Sequence, residues 1–116
     1  MKNNILKNKS YLFTLRIVKL SRYLVEGREY TLSKQVLRSG TSIGANIEEA
    51  FQGESKQDFI HKLAIANKEA FETHYWIRLL RDSELMTKAQ SESLLTECDE
   101  LQRMLIAAIK TSKRRS

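Results

Sequence analysis

Residues 37–80, LRSGTSIGANIEEAFQGESKQDFIHKLAIANKEAFETHYWIRLL, decide the fold of this chain of 116 residues. The stretch begins with nine consecutive uncharged residues, Ser39 to Ile47, most of them small, although 29% of the whole chain is charged. From Phe59 onward, apolar or small residues recur at alternating steps of four and three, which places them on one face of a helix. The stretch therefore predicts closely packed helices rather than a sheet.

The same periodicity predicts four helices. Zero prolines and only four glycines leave little to interrupt them. Helix one is expected to stop at Gly27, helix two to begin near Thr31 or Leu32, and helices three and four to begin at the caps Ser55 and Thr87. The inward positions are predicted to be Leu6, Phe13, Ile17, Leu20 and Leu24, then Leu32, Val36, Ser39, Ile43, Ile47 and Ala50, then Phe59, Leu63, Ala66, Ala70, Thr73, Ile77 and Leu80, then Leu94, Cys98, Leu101, Leu105 and Ala108.

Short connections between long helices make neighbouring helices antiparallel. The predicted fold is therefore all-α, an antiparallel up-down four-helix bundle over residues 1–109. The basic residues 110–116 are predicted to form a short, disordered C-terminal tail.

Composition argues for a cytoplasmic protein without a membrane role. The single cysteine, Cys98, cannot form an internal disulfide, which suits a reducing compartment. The first ten residues carry no apolar run of the kind that a signal peptide needs. The longest apolar run, Met104 to Ile109, is six residues long and too short to span a membrane.

The charge is divided unevenly along the chain, whose formal net charge is +6. Residues 1–38 hold nine Lys and Arg against two Glu, a balance of +7, and residues 39–109 hold seven against twelve acids, a balance of −5. The last seven residues add four basic residues and no acid. Basic segments at both ends predict a surface that binds RNA or DNA phosphates; the alternative is that they only keep the surface soluble. The predicted nucleic-acid-binding residues are Lys2, Lys9, Arg16, Lys110, Lys113, Arg114 and Arg115.

Self-association is the second expectation, because helix three is apolar on more sides than one bundle core can use. Gly40 and Gly44 inside helix two predict a close approach of another backbone, either in the same bundle or in a second subunit. The alternative to self-association through helix three is that Phe71 and Tyr75 face neighbouring helices and only Trp76 is partly exposed. The predicted packing and oligomer residues are Gly40, Gly44, Asn46, Ile65, Trp76 and Leu79.

No catalytic, metal or cofactor site is predicted. Di-metal helical bundles use Glu-x-x-His pairs, whereas the chain offers only the Asp58–His61 pair at that spacing. A metal-dependent enzyme built on Asp58, His61, Glu69 and Glu72 is therefore the weakest of the functional alternatives. Cys98 is expected in the core rather than as a nucleophile.

Two segments carry a resemblance to a known family: RSGTSIGANIEEA, Arg38 to Ala50, and SKQDFIHKLAIANKEAFETHYWIRLL, Ser55 to Leu80. Their Ser-Gly-x-Ser-Ile-x-Ala-Asn-Ile-x-Glu and Lys-Glu-Ala-x-Glu-Thr-x-Tyr-Trp runs resemble the signature of the bacterial four-helix bundle family, the 23S rRNA intervening-sequence proteins. Phe71 is bulkier than the small residue usual at its place. The residues at the family's characteristic positions are Ser42, Ala45, Asn46, Glu49, Glu69 and Glu72.

The resemblance implies a homo-oligomer, typically a ring of five bundles, and no catalytic activity. Relatives that serve diversity-generating retroelements are basic rings that contact nucleic acid and a reverse transcriptase. The expected function is therefore a non-enzymatic oligomer that binds RNA or structured nucleic acid. The alternative is a protein-interaction scaffold, for which the sequence names no partner.

Overall fold

The computed structural model describes the backbone of residues 2–115 and the side chains of residues 5–115. The predicted side-chain role of Lys2 lies outside the described residues. The helices are α1 (Lys2–Glu26), α2 (Tyr30–Phe51), α3 (Lys56–Asp82) and α4 (Lys88–Arg114). No strand occurs between residues 2 and 115, and the predicted all-α four-helix bundle is confirmed.

The four helices form a closed square. Each helix packs against its neighbours in sequence, and α1 also meets α4, but more lightly than the other pairs meet. No Cα atoms of the diagonal pairs α1–α3 and α2–α4 come within 8 Å of each other in the described part of the chain. The result is a rod of 50 × 21 × 20 Å in which neighbouring helices run antiparallel and diagonal helices run parallel.

The core follows the predicted inward faces. Leu32, Phe59 and Ala108 are partly buried, and every other predicted inward position is buried. Long aliphatic chains fill the centre, while α3 contributes the small Ala66 and Ala70. The periodicity of three and four therefore located the core correctly in all four helices.

The helix ends match the sequence signals in part. Ser55 Oγ accepts a hydrogen bond from Asp58 N at 3.0 Å, and Thr87 and Gln90 form the full reciprocal capping box. α1 ends at Glu26, directly before Gly27 as predicted, but the left-handed residue that closes the helix is Arg28, whose φ is 65°. Glu29 N donates to Leu24 O at 2.8 Å across that left-handed residue, which is the Schellman pattern.

The prediction of a disordered tail is wrong for residues 110–114, because α4 continues to Arg114. Lys and Arg are good helix formers, and neither glycine nor proline follows Ile109 to end the helix. Lys113 and Arg114 in the last turn also interact favourably with the negative end of the helix dipole. The basic segment therefore extends the bundle as a helix.

Within residues 2–115, no helix combines the length and the apolar character that a membrane crossing would require.

Candidate nucleic-acid and assembly surfaces

Two of the predicted phosphate ligands on α1 are paired with acids of α4. Lys9 Nζ lies 3.0 Å from Glu100 Oε1, and Arg16 Nη1 lies 2.5 Å from Glu97 Oε2. Arg16 also donates to Ser93 Oγ at 3.0 Å. The sequence interpretation of Lys9 and Arg16 as open phosphate ligands did not foresee these pairs, because their partners lie more than 75 residues away. The two cations connect α1 to α4 along the lightly packed edge.

The basic residues at the C-terminal end of α4 are in a different position. Lys110, Lys113, Arg114 and Arg115 are all exposed. Among the side chains that the structure describes, none of these four has an acidic group within 4.0 Å. We call these four residues the α4 basic end. With respect to the described side chains, a polyanion can approach these charges without first breaking an ion pair.

A cleft opens beside the α4 basic end. Its volume is about 490 Å³, and it lies where the start of α1, the end of α2, the start of α3 and the end of α4 meet. Phe51 and Phe59 contribute to its wall as an edge-to-face pair with ring centroids 5.3 Å apart. Thr111 and Arg115 lie on its α4 side. Sequence reasoning missed this cleft, because no local pattern shows that the two phenylalanines meet the end of α4.

The two glycines of α2 are used inside the bundle. A Cβ atom on Gly40 would lie 2.6 Å from Ile17 Cγ2, and one on Gly44 would lie 3.0 Å from Thr14 Oγ1. Both contacts are with α1 of the same chain, so this pair of glycines lets α1 and α2 approach closely. The sequence left open whether the closely approaching backbone belongs to the same bundle or to a second subunit. The structure shows that it belongs to the same bundle.

Hydroxyl groups complete this close packing. Ser21 Oγ and Ser33 Oγ are 2.7 Å apart between α1 and α2, and Thr73 Oγ1 donates to Ser39 Oγ at 2.9 Å between α3 and α2. Asn46, which sequence reasoning placed near the core, is half-buried, and its Nδ2 donates to Ser42 O of the same helix at 2.8 Å. Buried polar groups need such partners to offset their desolvation.

The acids of α3 are engaged by Arg38 of α2. Arg38 Nη1 lies 3.5 Å from Glu69 Oε1, and its Nη2 binds the carboxylate of Glu72. Trp76 Nε1 donates to the same Glu72 carboxylate at 2.9 Å. Two of the four residues weighed as metal ligands are thus ion-pair partners, and His61 is exposed. Over the described part of the chain, no three His, Cys, Asp or Glu residues are grouped as a metal site would require.

The outward face of α3 carries exposed apolar side chains. Phe71 is 60% exposed, Tyr75 49% and Leu79 37%, whereas Ile65 and Trp76 are only partly exposed. The alternative interpretation, in which Phe71 and Tyr75 face neighbouring helices, is wrong. We call Phe71, Tyr75 and Leu79 the α3 apolar face.

A second apolar face lies on α1. Tyr11, Leu12 and Leu15 are 64%, 61% and 45% exposed. We call them the α1 apolar face. Because α1 and α3 are diagonal in the square, the two apolar faces lie on helices that are not neighbours.

Cys98 lies in the core, between α4 and α3. Its thiol donates to Ala70 O at 3.3 Å, and burial raises the pKa of Cys98 to about 12. At neutral pH the thiol is therefore protonated, which is unsuitable for a nucleophile.

The comparisons with known proteins agree with this architecture. The family model described as 23S rRNA-intervening sequence protein matches residues 2–107. The chain belongs to this family. The suspected resemblance is thereby confirmed, and it extends well beyond the two segments that first indicated it.

A solved structure is also similar over nearly the whole chain. It is the crystal structure of a protein of unknown function of the S23 ribosomal protein family from Bacteroides thetaiotaomicron VPI-5482. The two chains are 53% identical with a TM-score of 0.92, and the match covers 95% of this chain and 99% of that one. No curated protein matches this chain.

Proposed function

We propose that this member of the 23S rRNA-intervening sequence protein family is a non-enzymatic, cytoplasmic homo-oligomer that binds RNA or DNA phosphates through the α4 basic end. The main support for this proposal is the contrast between the two basic segments. Lys9 and Arg16 are held by acids of α4, while the α4 basic end is exposed and unpaired among the described side chains.

Assembly is supported by the two apolar faces. Contiguous exposed apolar surface is uncommon on monomers and often marks a protein interface. Since the α1 and α3 apolar faces lie on two helices that are not neighbours, one copy can present its α1 face to the α3 face of the next. Such a head-to-tail contact closes into a ring when the rotation per subunit fits, and we propose a ring of five, as the family resemblance implies.

Repetition around a ring would strengthen a weak contact. Each subunit contributes one α4 basic end, and several ends acting on one polyanion raise the effective concentration of the later contacts. Binding of this kind is led by phosphates, so it carries little sequence preference.

Two measurements test the proposal. Light scattering should give about five times the chain mass of 13.5 kDa. Fluorescence anisotropy with a labelled RNA hairpin should show binding that weakens steeply between about 50 and 200 mM salt. A monomer at all concentrations contradicts the assembly, and absence of RNA and DNA binding at low salt contradicts the nucleic-acid role.

The second candidate is a protein-interaction scaffold whose basic charge serves only solubility. The observation that favours it is the neutralisation of Lys9 and Arg16, which leaves less open positive surface than the sequence suggests. An assembled ring without affinity for nucleic acid is the result that this candidate predicts.

A further inference from the structure

The cleft beside the α4 basic end combines an apolar wall with nearby cations, and such a site can distinguish single-stranded from duplex nucleic acid. Its walls are mostly apolar, including Phe51, Phe59 and Met104, yet it is open to solvent and exceeds the volume of one nucleobase. Thr111 on the wall provides a hydroxyl, and Arg115 lies on the same side of the cleft. An apolar space next to exposed cations suits a ligand with an apolar plane attached to an anion.

We infer that this cleft accepts an unpaired nucleobase, so that the protein prefers single-stranded nucleic acid to a duplex. This inference rests on the proposed phosphate binding at the α4 basic end and adds the form of nucleic acid that is bound. The base would contact the Phe51 and Phe59 side of the cleft while its phosphates meet Arg115 and the neighbouring cations.

The chemistry of single strands supports this assignment. Proteins that bind single strands without sequence preference combine a basic groove with aromatic side chains that contact the bases. A duplex cannot use the cleft in this way, because its bases are already stacked and paired and would first have to be extruded. Hydroxyl groups such as that of Thr111 can donate to or accept from any base edge, which keeps sequence preference low.

The geometry of α4 provides a matched test. Ala107 is exposed and lines the cleft, whereas Ala89 is exposed in the first turn of α4, at the opposite end of the rod. Ala107→Phe fills the cleft without changing any charge. Ala89→Phe adds the same side chain to the same helix far from the cleft and is the control.

The experiment compares anisotropy titrations of one labelled oligonucleotide, single-stranded and annealed to its complement, at fixed salt. We expect the parent protein to bind the single strand about tenfold more tightly than the duplex. Ala107→Phe should remove that preference while duplex binding is retained, and Ala89→Phe should keep it. Light scattering and thermal melting verify that both variants assemble and fold like the parent.

The outcomes separate the inference from the proposal on which it rests. Equal binding of single strand and duplex by the parent overturns the inference and leaves phosphate binding standing. A preference that survives in Ala107→Phe also overturns it, because the base would then be held elsewhere. Binding of neither form at low salt overturns both.

Discussion

Arg16 of α1 and Glu97 of α4 form an ion pair in which Nη1 lies 2.5 Å from Oε2, although 81 residues separate them in sequence. Both side chains are partly exposed, so the pair contributes little to stability by itself. Its effect on function is larger, since it removes a cation from the surface that the charge pattern alone assigns to phosphates. At the end of α4, by contrast, four exposed cations have no acidic group within 4.0 Å among the described side chains.

Gly40 provides the most direct test of the α1–α2 contact. Gly40→Ala places a Cβ 2.6 Å from Cγ2 of Ile17, which is fully buried and cannot move aside. We expect the free energy of unfolding to fall by about 1–3 kcal/mol in urea denaturation, despite the higher helix propensity of alanine. In a double-mutant cycle, the cost of Gly40→Ala should shrink when Ile17 is already Ala. Equal costs in both backgrounds would show that the two residues are not in contact.

Gly44 is expected to be more tolerant of a methyl group. The atom nearest to a Cβ added at Gly44 is Thr14 Oγ1 at 3.0 Å, on a half-buried side chain whose hydroxyl donates to Ser10 O, so this contact is less severe than the 2.6 Å contact at Gly40. Gly44→Ala should therefore change stability less than Gly40→Ala. Gly44→Leu should destabilise by overpacking, by about 1–3 kcal/mol, and a melting curve like that of the parent would contradict the packing described here.

Arg28 carries a cost that glycine would remove. Its φ of 65° lies in the left-handed region, which disfavours residues other than glycine by roughly 1–2 kcal/mol. Arg28→Gly should raise the free energy of unfolding by about 1 kcal/mol. The greater flexibility of glycine in the unfolded chain offsets part of this gain. Arg28→Ala, which removes the charge and keeps the strained backbone, is the control and should give no gain. A larger gain from alanine than from glycine would show that the charge is responsible.

Cys98 makes the stability depend on pH in the alkaline range. Burial raises its pKa from 9.0 to about 12 in the folded protein. The unfolded state loses its thiol proton first, so stability is unaffected by this group below about pH 9 and falls as the pH rises towards 12. The native thiol should also react slowly with a disulfide reagent at pH 8 and fully after denaturation. Rapid reaction of the folded protein would contradict the buried, protonated state.

The assembly depends on the two apolar faces. Leu12→Glu and Phe71→Glu each place a charge in one of them, and each should lower the mass measured by light scattering, since a buried, unpaired charge destabilises an interface. Ile106 on α4 is also an exposed apolar residue, 38% exposed, and belongs to neither face. Ile106→Glu is therefore the control and should leave the mass unchanged. Loss of assembly in the control alone would place the interface on α4.

The sequence predicted the helices and their inward faces because both depend on local spacing. The predicted inward positions between Leu63 and Leu80 on α3 and between Leu94 and Leu105 on α4 are buried, as the periodicity indicates. The capping residues Ser55 and Thr87 could also be predicted from the sequence, because a cap acts within four residues.

Contacts between helices could not be read in this way. Which acid meets Arg16, and whether Gly40 faces α1 or a second subunit, depends on the rotation of each helix about its axis and on the register between helices. The cleft lined by Phe51 and Thr111 likewise exists only after all four helix ends are brought together. The helical end of α4 was missed because a basic composition favours disorder and helix formation alike.

The central claim is that phosphates bind at the α4 basic end and not along α1. The most direct test compares two variants that each lose two cations: Lys113→Gln with Arg114→Gln, and Lys9→Gln with Arg16→Gln. For both, the logarithm of the association constant for one labelled single strand is plotted against the logarithm of the salt concentration. Each lost phosphate contact lowers the magnitude of the slope by roughly 0.7. The account predicts a shallower slope for the α4 variant and an unchanged slope for the α1 variant; the reverse result would contradict it.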